Sequence, residues 1–409
     1  MSSHQTRSHL ASERGAVLVH VAIALVGLMA MSTFVIDYGV MWAARRQAQN
    51  AADAAALAGA ISLAYVDFNN QNLARQSALD VAAQNNVWGE VPDVTPGDVT
   101  FPLCPAGAPG AGTNSCIRVD VFRNQREGGS PLPTFFGRLV GVNEQGVRAT
   151  AMAEALFGNV TDCVKPFAIP DKWLEDRNDQ GPEGWSETDT FERYARDGTT
   201  VLTPADFYGP GTGYTPESVG LGGGDHGRYI TLKAGNPNDA LAPGWFHPVV
   251  INPTEGPGGD NYRENIASCD DTPIGPGTEL EVEPGNMIGP TRQGMRDLIA
   301  LDPYAEWNPN LNGTGRGGVE GGCMAATGPS RCLVSPRLVA IPVFDPDAYD
   351  AGRASGRIVI NVVKVLGFFI DEIQGNDVAG YITTYPSEAF AGMGGVPGNN
   401  FVVSVALVR

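Results

Sequence analysis

Residues 15–60 read GAVLVHVAIALVGLMAMSTFVIDYGVMWAARRQAQNAADAAALAGA. Ala16 to Ile36 carries no formal charge, and His20, Ser32 and Thr33 are its only polar side chains. As a helix rising about 1.5 Å per residue, this stretch reaches across the roughly 30 Å of hydrocarbon in a bilayer. A helix in a soluble core keeps one polar face, and this one has none. A secretory signal has an apolar region of about 7–15 residues ending at a small-x-small site. Here the run is longer, and helical sequence continues past it. The segment therefore predicts a single membrane span over 16–42, after a cytoplasmic leader at 1–15. Arg7 and Arg14 before the run balance Arg45 and Arg46 after it, so flanking charge alone leaves the orientation open.

Beyond the span, alanine recurs every fourth residue at Ala44, Ala48, Ala52, Ala56, Ala60 and Ala64. Positions spaced by four form one ridge on a helix. Ala51, Ala55 and Gly59 make a second small row beside it, while Leu57, Ile61 and Leu63 stay off the ridge. Such a face predicts close approach of another helix or a sheet.

The whole chain has 409 residues and a net charge of −18. The first 46 residues hold four arginines against Glu13 and Asp37, so the acidity lies downstream. An acidic body repels phosphate backbones, which argues against a nucleic-acid partner. Gly and Pro, at 52 and 30, make up a fifth of the chain and favour a loop-rich, β-containing body. All six cysteines, Cys104, Cys116, Cys163, Cys269, Cys323 and Cys332, follow the span, and none forms a CxxC pair. An even count fits disulfides in an oxidising compartment, although sequence leaves every pairing open. Cys104 with Cys116 and Cys323 with Cys332 each bracket a Gly/Pro-rich loop, so local pairing is preferred. Cys163 with Cys269 is then left by elimination. Disulfides on that side break the orientation tie, with the N-terminus cytoplasmic and the body exported.

The N-terminal segment resembles that of TadG-like proteins, which with the TadE-like proteins belong to the Flp, or tight-adherence, pilus assembly group. The resemblance rests on Arg14-Gly15 before the apolar run, Asp37-Tyr38-Gly39 at its end, and the block Gln49-Asn50-Ala51-Ala52-Asp53-Ala54-Ala55-Ala56-Leu57-Ala58-Gly59-Ala60. It covers about 50 residues. Two short phrases further on, Cys163-Val164-Lys165-Pro166 and Ser335-Pro336-Arg337, also look like the long TadG-related proteins. The resemblance makes Gly15 and Ala16 a candidate processing site. It also implies the membrane, and pilus assembly proteins or pilin-like subunits, as partners. Cleavage there would make His20 the fifth mature residue, where pilins usually place Glu to pair with a neighbour's N-terminal amine. His20 cannot supply that negative charge, so retention as an anchor is favoured. Some TadG-like proteins carry a von Willebrand factor A-like domain, but its DxSxS metal motif is missing here.

In the body, the pattern predicts a helix over 71–85 and strands at 99–103, 117–122 and 146–156, with a short helix over 133–140. A long helix on such a sheet resembles a pilin-like α+β module over 43–160. Residues 163–335 read as loop-rich, with one clear helix at 290–301. Residues 336–409 read as β-rich and packing with that region, with strands at 337–344, 357–370, 378–384 and 401–408. Continuous apolar runs such as Ile358-Val359-Ile360 imply a strand buried on both faces. The expected fold class is α+β.

Catalytic signals are sparse. Only His226 and His247 lie in the body, and GxSxG, HExxH and GxxxxGK[ST] are absent. The glycine-rich run Gly220 to His226 lacks the strand-then-helix frame of a phosphate loop. One stretch approaches an EF-hand calcium loop: Asp176, Asn178, Gln180 and Glu187 occupy ligand positions, with Gly181 at the turn. Gln180 is unusual there, Pro182 follows the glycine, and Glu183 replaces an apolar residue, so an acidic surface turn is preferred. No cofactor and no metal are expected. The sequence thus points to a non-enzymatic, single-span protein of the bacterial inner membrane. Its body would sit in the periplasm or at the cell surface, as an assembly component or minor pilin-like subunit. The alternatives are an anchored extracytoplasmic binding or adhesion protein and, behind it, an anchored hydrolase.

Overall fold

The computed structural model describes residues 9–66, 68–175, 186, 188–195, 197–216, 224–235, 240–311, 316–322, 335–354, 358, 360–387 and 400–408. Its fold is α+β. A single helix, α1 (His9–Ile61), runs through both the apolar stretch and the alanine-rich block. At about 1.5 Å per residue it is roughly 80 Å long. Its two halves meet different surroundings. Val17, Ile23 and Phe34 stand 62%, 66% and 70% exposed, whereas Ala44, Ala48, Ala52, Ala56 and Ala60 are wholly buried.

The buried half packs on helix α2 (Gln71–Gln84) and on a sheet. The side chain of Asn70 caps α2 by accepting from the Leu73 amide at 3.1 Å. Ala74, Ala78 and Ala82, spaced by four, form the buried face of α2. The sheet holds β1 (Val99–Thr100), β2 (Cys116–Arg123) and β5 (Val147–Gly158), with the small hairpin β3 (Leu132–Pro133) and β4 (Glu144–Gln145) between β2 and β5 in sequence. On the face toward α1, Ile117, Val119 and Val121 pair with Ala153, Ala151 and Ala149. The alanines of α1 thus meet alanines of β5 and β-branched residues of β2, and helix and sheet come close. Gly59 marks the tightest point: a Cβ there would lie 2.2 Å from Ile117 Cδ1 and 3.1 Å from the Ala74 carbonyl oxygen. Two sequence expectations change here. The strand from 99 stops at Thr100, before Pro102, which has no N–H for a ladder. Residues 133–140 are not one helix but the end of β3 followed by a 3-10 turn at Gly137–Val140.

After β5 the chain enters a second body. Strands β6 (Phe167–Pro170), β7 (Tyr229–Ala234), β8 (Trp245–Val250) and β9 (Glu279–Val282) precede a hairpin of β10 (Glu306–Asn308) and β11 (Gly318–Glu320). Strands β12 (Leu338–Phe344), β13 (Ile360–Gln374) and β14 (Asp377–Thr383) follow. The order β12-β6-β8-β7-β14-β13 closes on itself, because β13 also pairs with β12, from Leu338 opposite Phe369 to Phe344 opposite Val362. Strand β9 bridges β8 and β13. Closure leaves these six strands no free edge around the ring. Alternate residues of one strand enter different clusters: Ile341 and Phe368 join one, Ala340 and Val365 another. Both faces are covered, which explains the unbroken apolar runs. Helices α3 (Gly259–Ala267), α4 (Ile288–Leu301) and α5 (Pro346–Ala354) pack outside the sheet order.

The chain then returns. Strands β15 (Tyr385–Pro386) and β16 (Val402–Leu407) join the first sheet, giving the order β1-β2-β5-β16-β15. Val402 to Leu407 run antiparallel to Gly158 to Ala153. The β-rich region from 336 onward is therefore divided: β12–β14 belong to the ring, β15 and β16 to the sheet beneath α1. The ring is an excursion between two neighbouring strands of the first sheet.

Two disulfides are present among the described residues. Cys104–Cys116 closes the turn leading into β2, and Cys163–Cys269 ties the entry to the ring to the end of α3. The phrase Cys163 to Pro166 has a structural account. Besides that bond, Lys165 Nζ donates to the Ser268 carbonyl at 2.6 Å, closing the C-terminal end of α3, where a cation is favoured. Burial lowers the Lys165 pKa to about 8. The phrase Ser335 to Arg337 works similarly. The buried Arg337 guanidinium donates to the carbonyls of Ile370, Asp302 and Ala305, and Ser335 Oγ donates to Asp302 at 2.6 Å.

Overpacking the helix–sheet contact tests this architecture. Ala52→Leu inserts three carbons where none fit and is expected to destabilise the protein by about 1–3 kcal/mol. Denaturant unfolding in detergent, followed by circular dichroism, reads the change. An unchanged midpoint would contradict the close packing.

Candidate membrane-proximal site

The two regimes of α1 meet at Asp37. Its side chain is buried, although its helical neighbours Ile36 and Tyr38 are exposed. Oδ1 accepts the Phe135 amide at 2.8 Å, while Oδ2 accepts those of Gly137 at 2.6 Å and Phe136 at 3.2 Å. Three consecutive N–H groups at the start of the 3-10 turn are thus gathered by one carboxylate. The first donors of a helical turn lack internal partners, so an anion is the natural cap. The capped loop is closed within itself: Thr134 Oγ1 donates to the Val142 carbonyl at 2.6 Å, and the Val142 amide to Gly137 O at 2.9 Å. Gly137 is required by proximity, since a Cβ would stand 2.9 Å from the Val142 oxygen. Gly141 ends the turn at φ 84°, in the left-handed region that favours glycine.

Below this clamp a groove of about 580 Å³ separates the hairpin from α1. Val26, Met29, Ala30 and Phe34 line it from the helix, Phe136 and Val142 from the hairpin. On the helix these positions recur every three or four residues, so they form one face. Above it, Tyr38 stacks on Phe34 with ring centroids 5.7 Å apart, and the Arg46 guanidinium lies 4.7 Å from the Trp42 ring. Aromatic and basic side chains after an apolar run mark where a span meets the headgroup layer.

The remaining candidates are dispersed. Gly15 and Ala16 lie within continuous α1, and a Cβ on Gly15 would meet nothing within 4 Å. His20 is on the exposed part of the same helix. Ala44, Ala48, Ala52, Ala56, Ala60 and Ala64 are buried within the protein, Ala44 through Ala60 in the cluster shared with β2 and β5. The protein's own sheet takes the close approach that this ridge offers. Asp176, Asn178, Gln180 and Glu187 lie outside the described residues, as do Cys323, Cys332 and Gly220 to Gly223. Of the body histidines, His247 is buried and His226 partly buried. His226 Nδ1 lies 3.0 Å from the Arg316 carbonyl and Nε2 lies 3.1 Å from Thr383 Oγ1. His247 sits against the rings of Phe344 and Tyr349. Burial pushes His247 down to about 4; burial, with the Arg316 charge, pushes His226 down to about 3.

Two buried carboxylates gave no signal in the sequence. Asp225 receives Lys172 Nζ at 2.9 Å, Arg228 Nε at 3.1 Å and the Thr215 amide at 2.9 Å. Asp171 receives Lys364 Nζ at 2.9 Å, Tyr208 Oη at 3.1 Å and the Tyr214 amide at 2.8 Å. Each is surrounded by hydrogen-bond donors. Their chemistry is that of a clamp: they fasten residues 208–216 and 224–228 to the ring.

Residues 15–84 match the Tad family, described as "Putative Flp pilus-assembly TadE/G-like". The match spans less than a fifth of the chain and takes in the exposed half of α1, its buried half and α2. The N-terminal segment is therefore TadE/G-like, and the protein is related to Flp pilus assembly through it. No curated protein and no solved structure matches the chain.

Two outcomes follow from this geometry. Asp37→Ala leaves three amides without their acceptor. Hydrogen exchange read by mass spectrometry is expected to accelerate at Phe135 to Gly137 while the ring strands keep their protection. The histidines set a pH dependence. Their folded pKa values lie below the unfolded value of about 6.5, so below that pH the unfolded chain takes up protons that the folded one refuses. Stability should fall by about 2 kcal/mol per histidine between pH 7 and pH 5. Urea unfolding at both pH values checks this, and His247→Phe should remove its share relative to the parent protein.

Proposed function

We propose that this protein is a non-enzymatic, membrane-anchored component of a Flp pilus assembly system. Helix α1 crosses the bacterial inner membrane once, with the N-terminus in the cytoplasm and the body in the periplasm or at the cell surface. One observation carries the reading. The TadE/G-like match falls on the stretch where α1 passes from a fully exposed apolar segment to a small-residue face buried in a folded body. A helix of that kind anchors and, at its other end, presents. The two disulfides support an oxidising compartment for the body. The donor-rich settings of Asp171 and Asp225 and the buried His247 support a structural rather than a catalytic body.

Within that role we favour a retained assembly component over a processed filament subunit. His20 lacks the charge that a filament neighbour's amine would need inside the membrane. The remaining partners are pilus assembly proteins, with pilin-like subunits among them.

Pull-down of the full chain from detergent-solubilised membranes should recover pilus assembly proteins, and a deletion strain should lose or alter piliation. Recovery of none, with normal piliation, would refute the reading. The mass of the native N-terminus separates the two roles. A start at Ala16 would indicate processing, whereas an intact or Met-trimmed start fits the anchor.

A further inference from the structure

The hairpin held by Asp37 is unusual for an exported loop. Residues 135–142 read Phe-Phe-Gly-Arg-Leu-Val-Gly-Val, with Arg138 as the only charge. Phe135 is 57% exposed and Val142 46%, and Arg138 is also exposed. Large apolar side chains gathered at one tip call for a covering surface. The clamp fixes what that surface is. Asp37 closes the apolar run of α1, so its three bonds hold the tip at the level where the span ends, beside Phe34 and Tyr38. The groove continues downward from there to Val26, along the face of the very segment assigned to the bilayer.

We propose that residues 135–142 form a second membrane contact, embedded in the outward-facing leaflet. Phospholipid acyl chains fill the groove between the hairpin and α1, and Arg138 reaches the phosphate layer. Three features make lipid the fitting occupant. The groove is continuous with the exposed apolar face of the span. Its lining is almost wholly apolar, with the one carboxylate in it already committed to protein amides. The sole charge in residues 135–142 is a cation, as an anionic headgroup layer prefers. Asp37, Thr134 and the turn itself take up the amides of Phe135 to Gly137, Gly141 and Val142 and the Val142 carbonyl, which lowers the cost of irregular backbone near lipid. With two attachments instead of one, the body is seated on the bilayer in a fixed orientation and does not swing on a single helix. This rests on the membrane-anchor reading above.

Photo-crosslinking of the full chain in phosphatidylcholine/phosphatidylglycerol vesicles tests it. A benzoylphenylalanine replaces Phe135 or Val142, with Ile23 in the span and Tyr304 on the body as references. The expected result is lipid adduct at 135 and 142 of the same order as at 23, and roughly tenfold above that at 304. Adduct at 23 with none at 135 and 142 overturns the hairpin contact and leaves the anchor standing. Cross-links from 135 to a second copy or another protein, without lipid, also overturn it. No lipid adduct at 23 refutes the anchor and this inference together.

Discussion

The absence of side-chain bulk between α1 and its sheet is the constraint from which the rest follows. A helix backbone can lie this close to strands only where bulk is withheld from the contact, and here the helix ridge and the facing residues of β5 are alanine or glycine, while β2 supplies Ile117, Val119 and Val121. Ala44 to Ala60 meet Ala149, Ala151 and Ala153, with Gly59 at the tightest point. The contact gains little from any one side chain, because a methyl group buries little area. It relies on many contacts at van der Waals distance along a rigid rod. That rod extends from the folded body into an apolar stretch whose large side chains stand exposed. Position is therefore transmitted along α1 without a joint between body and anchor.

Polar groups then fix what apolar packing leaves loose. Asp37 binds the hairpin to the helix, Lys165 and the Cys163–Cys269 bond hold α3, and Arg337 gathers carbonyls from separate turns. Asp171 and Asp225 bring Tyr208, Tyr214, Thr215 and Arg228 onto the ring. Each carries its charge into a buried place and finds several partners there. Removing one partner would leave the rest exposed to the full cost of desolvation.

The local elements were largely legible in the sequence. The unbroken apolar run, the alanine period and the alternation at 117–122 and 146–156 each follow from nearest-neighbour geometry. So did the strands at 337–344 and 378–384. What stayed hidden was long-range. Nothing in Phe401 to Val408 says that its partner is β5 and not a strand of the ring, since both offer apolar neighbours. Closure of the ring depends on β13 being long enough to pair with β14, β12 and β9 in turn. The site was legible only in half. Asp37 at the end of a span invites a search for donors, but amides almost a hundred residues away carry no mark of their role. A helix expected at 133–140 became a turn because Asp37 and Thr134 supply the bonds that a longer helix would have made itself.

The return of β16 to the first sheet has a consequence for biogenesis. On the proposed topology, the module next to the apolar half of α1 stays open along the β5 edge until the whole ring has been synthesised and moved across the membrane. Only then can the strand from 402 fill that edge and cover the apolar side of the sheet. The part of the protein nearest the translocation channel in sequence is thus among the last to be finished. An interrupted polypeptide would expose an unpaired strand directly above the lipid, a signal that quality-control proteases and chaperones are equipped to read. Correct assembly of the platform at the membrane thereby reports that the distant ring has already been delivered.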